Sequence, residues 1–271
     1  MTLLKPRVLR FESLPSTNTE LARMASEGAA EGLAIVADEQ TAGRGRLQRA
    51  WSSPKGAGLY FSILLRPQIP VDQWPLITFA AALAVGDALH EAAGVQTDIK
   101  WPNDLLSGER KICGILAEAI DTPAGRAVIV GIGINLTQYA FPEATSVSEA
   151  TGARPDREAI LAALLSALTR WYSLLGEREK VVAAWSSRSS YAFGKLVQVK
   201  NGNEVWQGMT CGVEPDGALR LRTSKEEIKL IRAGDVQNLR PALAATSVRQ
   251  DLQDFQDNPA NPENLVNPVQ K

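Results

Sequence analysis

Between Gln40 and Val71 the chain carries Arg44, Arg46, Arg49, Lys55 and Arg66 and no acidic residue. The whole protein has 29 Lys and Arg against 30 Asp and Glu, a net charge of -1, so this cluster is a local anion site on a nearly neutral molecule. Arginine supplies an always-charged donor fork that matches phosphate and carboxylate. Gly43 and Gly45, set between the arginines, let the backbone approach a ligand and take positive φ. A solvated basic loop is the plainer explanation. The two glycines, Trp51 and the flanking strand patterns favour an ordered ligand loop.

Three further stretches carry chemistry. In Lys100-Trp101-Pro102-Asn103-Asp104, Lys100 could face a phosphate, and Asp104 could orient an amine or help to hold Mg²⁺. A strand end with a Pro-Asn-Asp turn accounts for the same spacing equally well. In Arg110-Lys111-Ile112-Cys113-Gly114-Ile115 a cation opens a buried strand, and Gly114 permits close approach. Gly131-Ile132-Gly133-Ile134-Asn135 looks like a dinucleotide fingerprint but lacks the third glycine and the following helix. Glycines inside a strand mark a place where a ligand or another backbone lies against it.

Composition removes other chemistries. His90 is the only histidine, and Cys113 and Cys211 lie far apart, so no ordinary Cys/His zinc site can form. A Ser-His-Asp triad would have to use His90, which sits in an apolar run and reads as a helix residue. The two cysteines read as reduced structural thiols of a cytoplasmic protein. The N-terminus has no long apolar segment of a signal peptide. The apolar stretch 76–93 carries Asp87, His90 and Glu91 and reads as a core helix, not a membrane span. No global field draws the protein to DNA or a membrane.

The elements that must position these residues follow from periodicity. Strands are expected at 8–14, 34–40, 59–66, 97–101, 112–120 and 127–136. Helices are expected from Ser16-Thr17-Asn18 to Gly28, at 76–93, at 157–175 behind an Asp156 cap, and at 181–188. Thr17 and Glu20 have capping-box spacing. Beyond Gly194 short strands at 196–200, 204–213, 218–222 and 226–231, with Asn201-Gly202 and Asp216-Gly217 turns, predict a small β-barrel. The expected organisation is an α+β domain over 1–190, the barrel over 191–241 and a polar, disordered tail over 242–271.

Taken in order, GRGRxxRxW, KWPND, KxxGIL and GxGIN resemble the signature set of biotin–protein ligases, and the likeness spans about residues 11–240. The resemblance implies a mixed β-sheet with packed helices, akin to class II aminoacyl-tRNA synthetases, plus an SH3-like barrel. It implies that biotin and MgATP give biotinyl-5′-AMP and pyrophosphate. The biotinyl group then passes to a lysine of a biotin carboxyl carrier protein, with acetyl-CoA carboxylase the expected owner. By the same resemblance Ser16, Thr17, Asn18, Gln40, Gly43, Arg44, Arg46, Lys111, Gly114 and Ile115 would bind biotin. Arg44, Arg49, Trp51, Lys100, Asn103, Asp104, Lys111, Asn135 and Arg240 would bind ATP, with Arg46 and Lys111 catalytic. Gln48 departs from the family, where many members have glycine.

The alternatives are a lipoate ligase, for which no RRxSGGG-like segment is found, a DNA-binding repressor and a non-catalytic biotin module. Fifteen residues before Ser16 hold no three-helix unit, so a monofunctional enzyme is expected. The sequence leaves a homodimer open.

Overall fold

The computed structural model describes residues 4–137 and 141–238. The expected tail at 242–271 and Arg240 lie outside the described residues. In chain order the first elements are β1 (Arg7–Leu14), α1 (Thr17–Ser26), β2 (Leu33–Gln40), β3 (Gly58–Leu65) and α2 (Pro75–Ala93). β4 (Asp98–Lys100), β5 (Asp104–Ser107), β6 (Arg110–Thr122) and β7 (Gly125–Asn135) follow. Next come α3 (Val147–Thr151), α4 (Arg157–Ser173) and α5 (Arg178–Ser187). β8 (Phe193–Asn201), β9 (Glu204–Val213), β10 (Leu219–Arg222), β11 (Ile228–Ile231) and β12 (Asp235–Asn238) end the described chain.

The first seven strands form one sheet, ordered β1-β2-β3-β7-β6-β5-β4. β1 and β2 are parallel and every other pair is antiparallel, which is the mixed sheet expected. Side chains alternate between its faces. Ala34, Val36, Phe61, Ile63, Val128 and Val130 face α2, while Leu33, Ile35, Leu64, Ala127 and Ile129 pack under Leu21 and Ala25 of α1. α2 is apolar around nearly its whole circumference because it is enclosed by the sheet, α4 and α5. It is long and apolar enough to cross a membrane by length and composition alone, yet most of its side chains are core. His90 is exposed on its last turn, bonded to Gln96 and away from the site described below.

The second sheet is ordered β11-β10-β9-β8-β12 and is antiparallel throughout. It corrects the expected barrel: β11 pairs with β10 and β12 with β8, but the two four-residue edges do not pair with each other. The turn between β9 and β10 meets α2, and β9 touches α5. A Cβ at Gly217, in the anticipated Asp216-Gly217 turn, would lie 3.5 Å from Pro75 and 3.6 Å from Phe79. Trp101 Nε1 donates to the Gly217 carbonyl at 3.0 Å.

Three short elements, α3, β5 and β12, were not expected. Four or five residues hold too little periodicity to show. β5 exists because β4 and β6 supply hydrogen bonds on both its sides. The cap of α1 also differs. Ser16 is the N-cap and accepts from Thr19 N at 3.4 Å, while Thr17 turns its hydroxyl to Gln40 and Glu20 pairs with Arg23.

Asp87 fastens α2 to its neighbours. It accepts from Trp171 Nε1 at 2.6 Å, Arg170 at 2.5 Å and Arg188 at 2.5 Å. Burial alone would push its pKa up, but these donors outweigh burial and hold it below the ordinary carboxylate value. Its stabilisation is present above the unfolded-state pKa near 4 and is lost as pH falls through the lower folded value. Asp87→Asn should cost about 2 kcal/mol at neutral pH. The deficit, measured by urea unfolding, should start to shrink below about pH 4, where the carboxylate of the unfolded chain takes up a proton, and go on shrinking as pH falls through the lower folded value.

Candidate active site

The site is built on the α1 face of the sheet, where α1 ends. Tyr60, Gly133 and Gly114 are neighbours across β3, β7 and β6, as are Ser62, Gly131 and Leu116 one pair further along. Toward the middle of the sheet this face is filled by α1. Beyond the helix N-terminus the strands present glycine, and a cavity of about 560 Å³ opens, a normal size for a small-ligand site.

Each glycine clears a particular side chain. A Cβ on Gly131 would strike the Asn18 amide. On Gly133 it would lie 2.5 Å from the Trp51 indole nitrogen, and on Gly114 2.9 Å from the Trp51 ring and 3.1 Å from Lys111 Nζ. The strand glycines thus accommodate side chains that line the cavity, where the sequence pointed to a ligand or another backbone.

One end of the cavity is uncharged and hydrogen-bonding. Ser62 Oγ lies 2.5 Å from Asn18 Oδ1 and 2.7 Å from Thr17 Oγ1, and Thr17 Oγ1 lies 3.1 Å from Gln40 Oε1. Asn18 Nδ2 donates to Glu118 and to Leu116 O, and Gln40 Oε1 also accepts from Thr17 N, which fixes both amide orientations. Three oxygen–oxygen contacts therefore share the protons of two hydroxyls, leaving acceptor capacity for a ligand N–H.

The other end is cationic. Lys111 Nζ is 2.7 Å from Asp104 Oδ1 and 5.1 Å from the centre of the Trp51 ring. Arg46 donates to Asn103 Oδ1 at 3.1 Å and to Gly234 O at 3.3 Å, and it faces Asp235 at 3.7 Å. Burial lowers its pKa, while Asp235 and Asp104 oppose that shift. Arg49 pairs with the same Asp235, so a carboxylate of the second sheet reaches the loop of the first. Arg44 stands apart, in a fork with both Glu118 oxygens at 3.0 Å.

The structure thus brings Ser16, Thr17, Asn18, Gln40, Arg44, Arg46, Arg49, Trp51, Asn103, Asp104, Lys111, Gly114, Ile115 and Asn135 onto one cavity. Asn135 lines it, but its N–H groups are bonded to Thr145 O at 2.9 Å and Lys111 O at 3.3 Å. Two expected residues do not line it. Gly43 lies against the Trp51 carbonyl, where a Cβ would clash, and serves loop packing. Lys100 is half-buried with Nζ 5.7 Å from the Tyr191 ring, and burial lowers its pKa. The loop conformation also needs correction. Neither Gly43 nor Gly45 has positive φ, whereas Leu47 (φ 54) and Gln48 (φ 59) do.

Sequence reasoning missed Ser62, Glu118 and Asp235. Ser62 is the one polar side chain in an otherwise apolar and fully buried β3, a signal that was available. Glu118 and Asp235 act across the fold and left none. Among the described residues no group of three His, Cys, Asp or Glu could cage a metal. Asp104 and Asp235 do line the cavity, which suits Mg²⁺ held by one or two carboxylates and the phosphates of its nucleotide.

Residues 10–135 match the family model described as the biotin/lipoate A/B protein ligase family. The bifunctional ligase/repressor BirA of Bacillus subtilis is 38% identical over 240 residues, covering 85% of this chain and 73% of that protein. The biotin–[acetyl-CoA-carboxylase] ligase of Mycobacterium tuberculosis is 34% identical over 235 residues, covering 83% and 86%. The solved biotin protein ligase of Aquifex aeolicus, in complex with biotin and ATP, superposes with a TM-score of 0.74 at 31% identity, covering 86% of this chain and 99% of that one. This chain belongs to the biotin/lipoate A/B protein ligase family. Within the family the Mycobacterium tuberculosis and Aquifex aeolicus relatives are biotin ligases by name.

Gly133→Ala tests the floor. The added methyl meets the indole at 2.5 Å, so Trp51 must shift. Overpacking of this kind costs about 1–3 kcal/mol. Thermal unfolding should show the loss, and the tryptophan emission should change relative to the parent. Unchanged emission and melting would mean that the indole is not seated on the strand.

Proposed function

We propose that this protein activates biotin with ATP and transfers it to a lysine of a biotin carboxyl carrier protein. The observation that carries the reading is a single cavity with an uncharged, acceptor-rich end at Ser16, Thr17, Asn18 and Gln40 and a cationic end at Arg46, Arg49 and Lys111. The first suits the ureido N–H groups of biotin. The second suits a carboxylate and a triphosphate brought together.

In the first step a carboxylate oxygen of biotin attacks the α-phosphorus of ATP. The bond from the α-phosphorus to the α,β-bridging oxygen breaks, and pyrophosphate leaves with that electron pair. Both reactants are anions, so their approach needs compensating charge, and the negative charge grows on the departing oxygen. Lys111 and Arg46 supply fixed positive charge at the cationic end, and Asp104 and Asn103 hold them in place. Magnesium would come with the phosphates and lower their charge, with Asp104 and Asp235 the carboxylates at hand. No proton moves in this step, which agrees with a site without histidine.

In the second step the carrier's lysine amine attacks the acyl carbon, the carbon–oxygen bond to AMP breaks, and the amine loses its proton. The mixed anhydride must meanwhile be kept from water. The loop from Gly43 to Trp51 is placed to do this, with Arg46 anchored to Asn103 and to Gly234 of the second sheet.

The proposal includes the residue roles above. Its domain division puts the catalytic unit at 1–190 and a smaller unit at 191–241. The reaction runs in the cytoplasm, which two free cysteines support. No DNA target is included, in keeping with the net charge of -1.

Pyrophosphate should exchange into ATP only with biotin present, and one lysine of a carrier domain should then be labelled. Exchange driven by lipoate instead of biotin would overturn the substrate. Lys111→Ala should slow adenylate formation roughly ten- to a hundred-fold, the worth of one charge-assisted contact. Arg46→Ala should in addition release biotinyl-5′-AMP faster, seen by trapping it in solution. Retention equal to the parent would remove the lid role.

A further inference from the structure

Glu118, on β6, is outside the lining of the cavity, yet two of the lining residues depend on it. Both of its oxygens accept from the Arg44 guanidinium at 3.0 Å, and one also accepts from Asn18 Nδ2 at 2.8 Å. Arg44 belongs to the basic loop. Asn18 belongs to the first turn of α1 and fills the space left by Gly131. The bonds continue from Asn18 to Ser62, Thr17, Gln40 and Ser53. Ser53 Oγ is 3.2 Å from the Trp51 carbonyl, and Trp51 N donates to Gly43 O at 2.9 Å. The series leaves the basic loop at Arg44, crosses the uncharged end of the cavity, and returns to the same loop at Trp51 and Gly43.

We infer that Glu118 is a positioning residue that couples closure of the loop to occupation of the uncharged end of the cavity. The inference rests on the biotin reading given above. A ligand that takes up the spare acceptor capacity around Thr17, Ser62 and Asn18 fixes the proton arrangement there. It thereby holds Asn18 Nδ2 on Glu118, and Glu118 holds Arg44 and the loop. Three donors meet its two oxygens, two from Arg44 and one from the Asn18 amide, and a carboxylate accepts from all three. A glutamine at 118 has one acceptor oxygen and must turn its own N–H₂ toward one of them.

The test compares Glu118→Gln, Arg44→Ala and the double variant with the parent, in pyrophosphate exchange and in release of biotinyl-5′-AMP. Glu118→Gln should raise KM for biotin about tenfold and speed adenylate release about tenfold, the scale of a lost charge-assisted pair. KM for ATP should stay at the parent value, since the bonds of Glu118 go to Arg44 and Asn18 and to none of Arg46, Arg49 and Lys111 at the cationic end. The double variant should be no worse than Arg44→Ala alone, because the two act through one link. Glu118→Asp keeps the charge and should recover part of the loss. It also carries the test if Glu118→Gln does not fold. Unchanged biotin KM and release, a rise in ATP KM of equal size, or additive effects would each overturn the inference. A parent chain that exchanges no pyrophosphate with biotin would instead overturn the proposed function.

Discussion

The site depends on one feature of strand register: glycine faces glycine where β6 and β7 pair, at Gly114 and Gly133. Residue alternation sends both to the α1 face, next to the place where that helix ends. A side chain on either would collide with the Trp51 indole or Lys111 Nζ. With both absent, the indole lies against the two glycines and the lysine ammonium stands over its ring at 5.1 Å. Shifting either strand by one residue would turn isoleucines into the cavity and glycines into the core. The hydrophobic alternation of Val128, Val130, Ile132 and Ile134 against α2 prevents that slip. The apolar core on one face therefore sets the geometry of the polar chemistry on the other.

The second constraint is electrostatic. Four cations converge on the cavity, and each is held by an acid or an amide oxygen: Arg44 by Glu118, Arg46 by Asn103 and Asp235, Arg49 by Asp235, and Lys111 by Asp104. Unpaired, they would repel one another. Paired, they stand in fixed positions with donors to spare, so an arriving anion meets charge that needs little reorganisation. Asp235 makes the second sheet part of this arrangement and not an appendage to it.

Much of this was legible in the sequence. The basic loop, Lys111 behind a strand start and the paired glycines could be read because local residue types and spacing carry them. The long strands and α2 show through periodicity, and four ordered motifs pointed to the biotin ligases. What stayed hidden was made by distant parts of the chain. Glu118 gains meaning only when Arg44 and Asn18 are folded against it, 74 and 100 residues away in sequence. Asp235 lies on a four-residue strand with no pattern of its own. The expected capping box failed for the same reason: Thr17 was claimed by Gln40 on a neighbouring strand. The barrel was read from closely spaced short strands, but closure needs the two edges to meet, and no local pattern encodes that.

Leu47 and Gln48 occupy the left-handed region at the tip of the basic loop. Each such residue raises the energy of the loop by about 1–2 kcal/mol relative to an ordinary conformation. The seated loop thus works as a loaded spring held down by its arginines. Opening relaxes the backbone at the same moment that the ion pairs break, and the two contributions oppose each other. Glycine at position 48 would lower the load without touching a single charge. The stability of the seated loop is in this way adjustable at a residue outside the cavity lining, independently of the charges that surround the cavity.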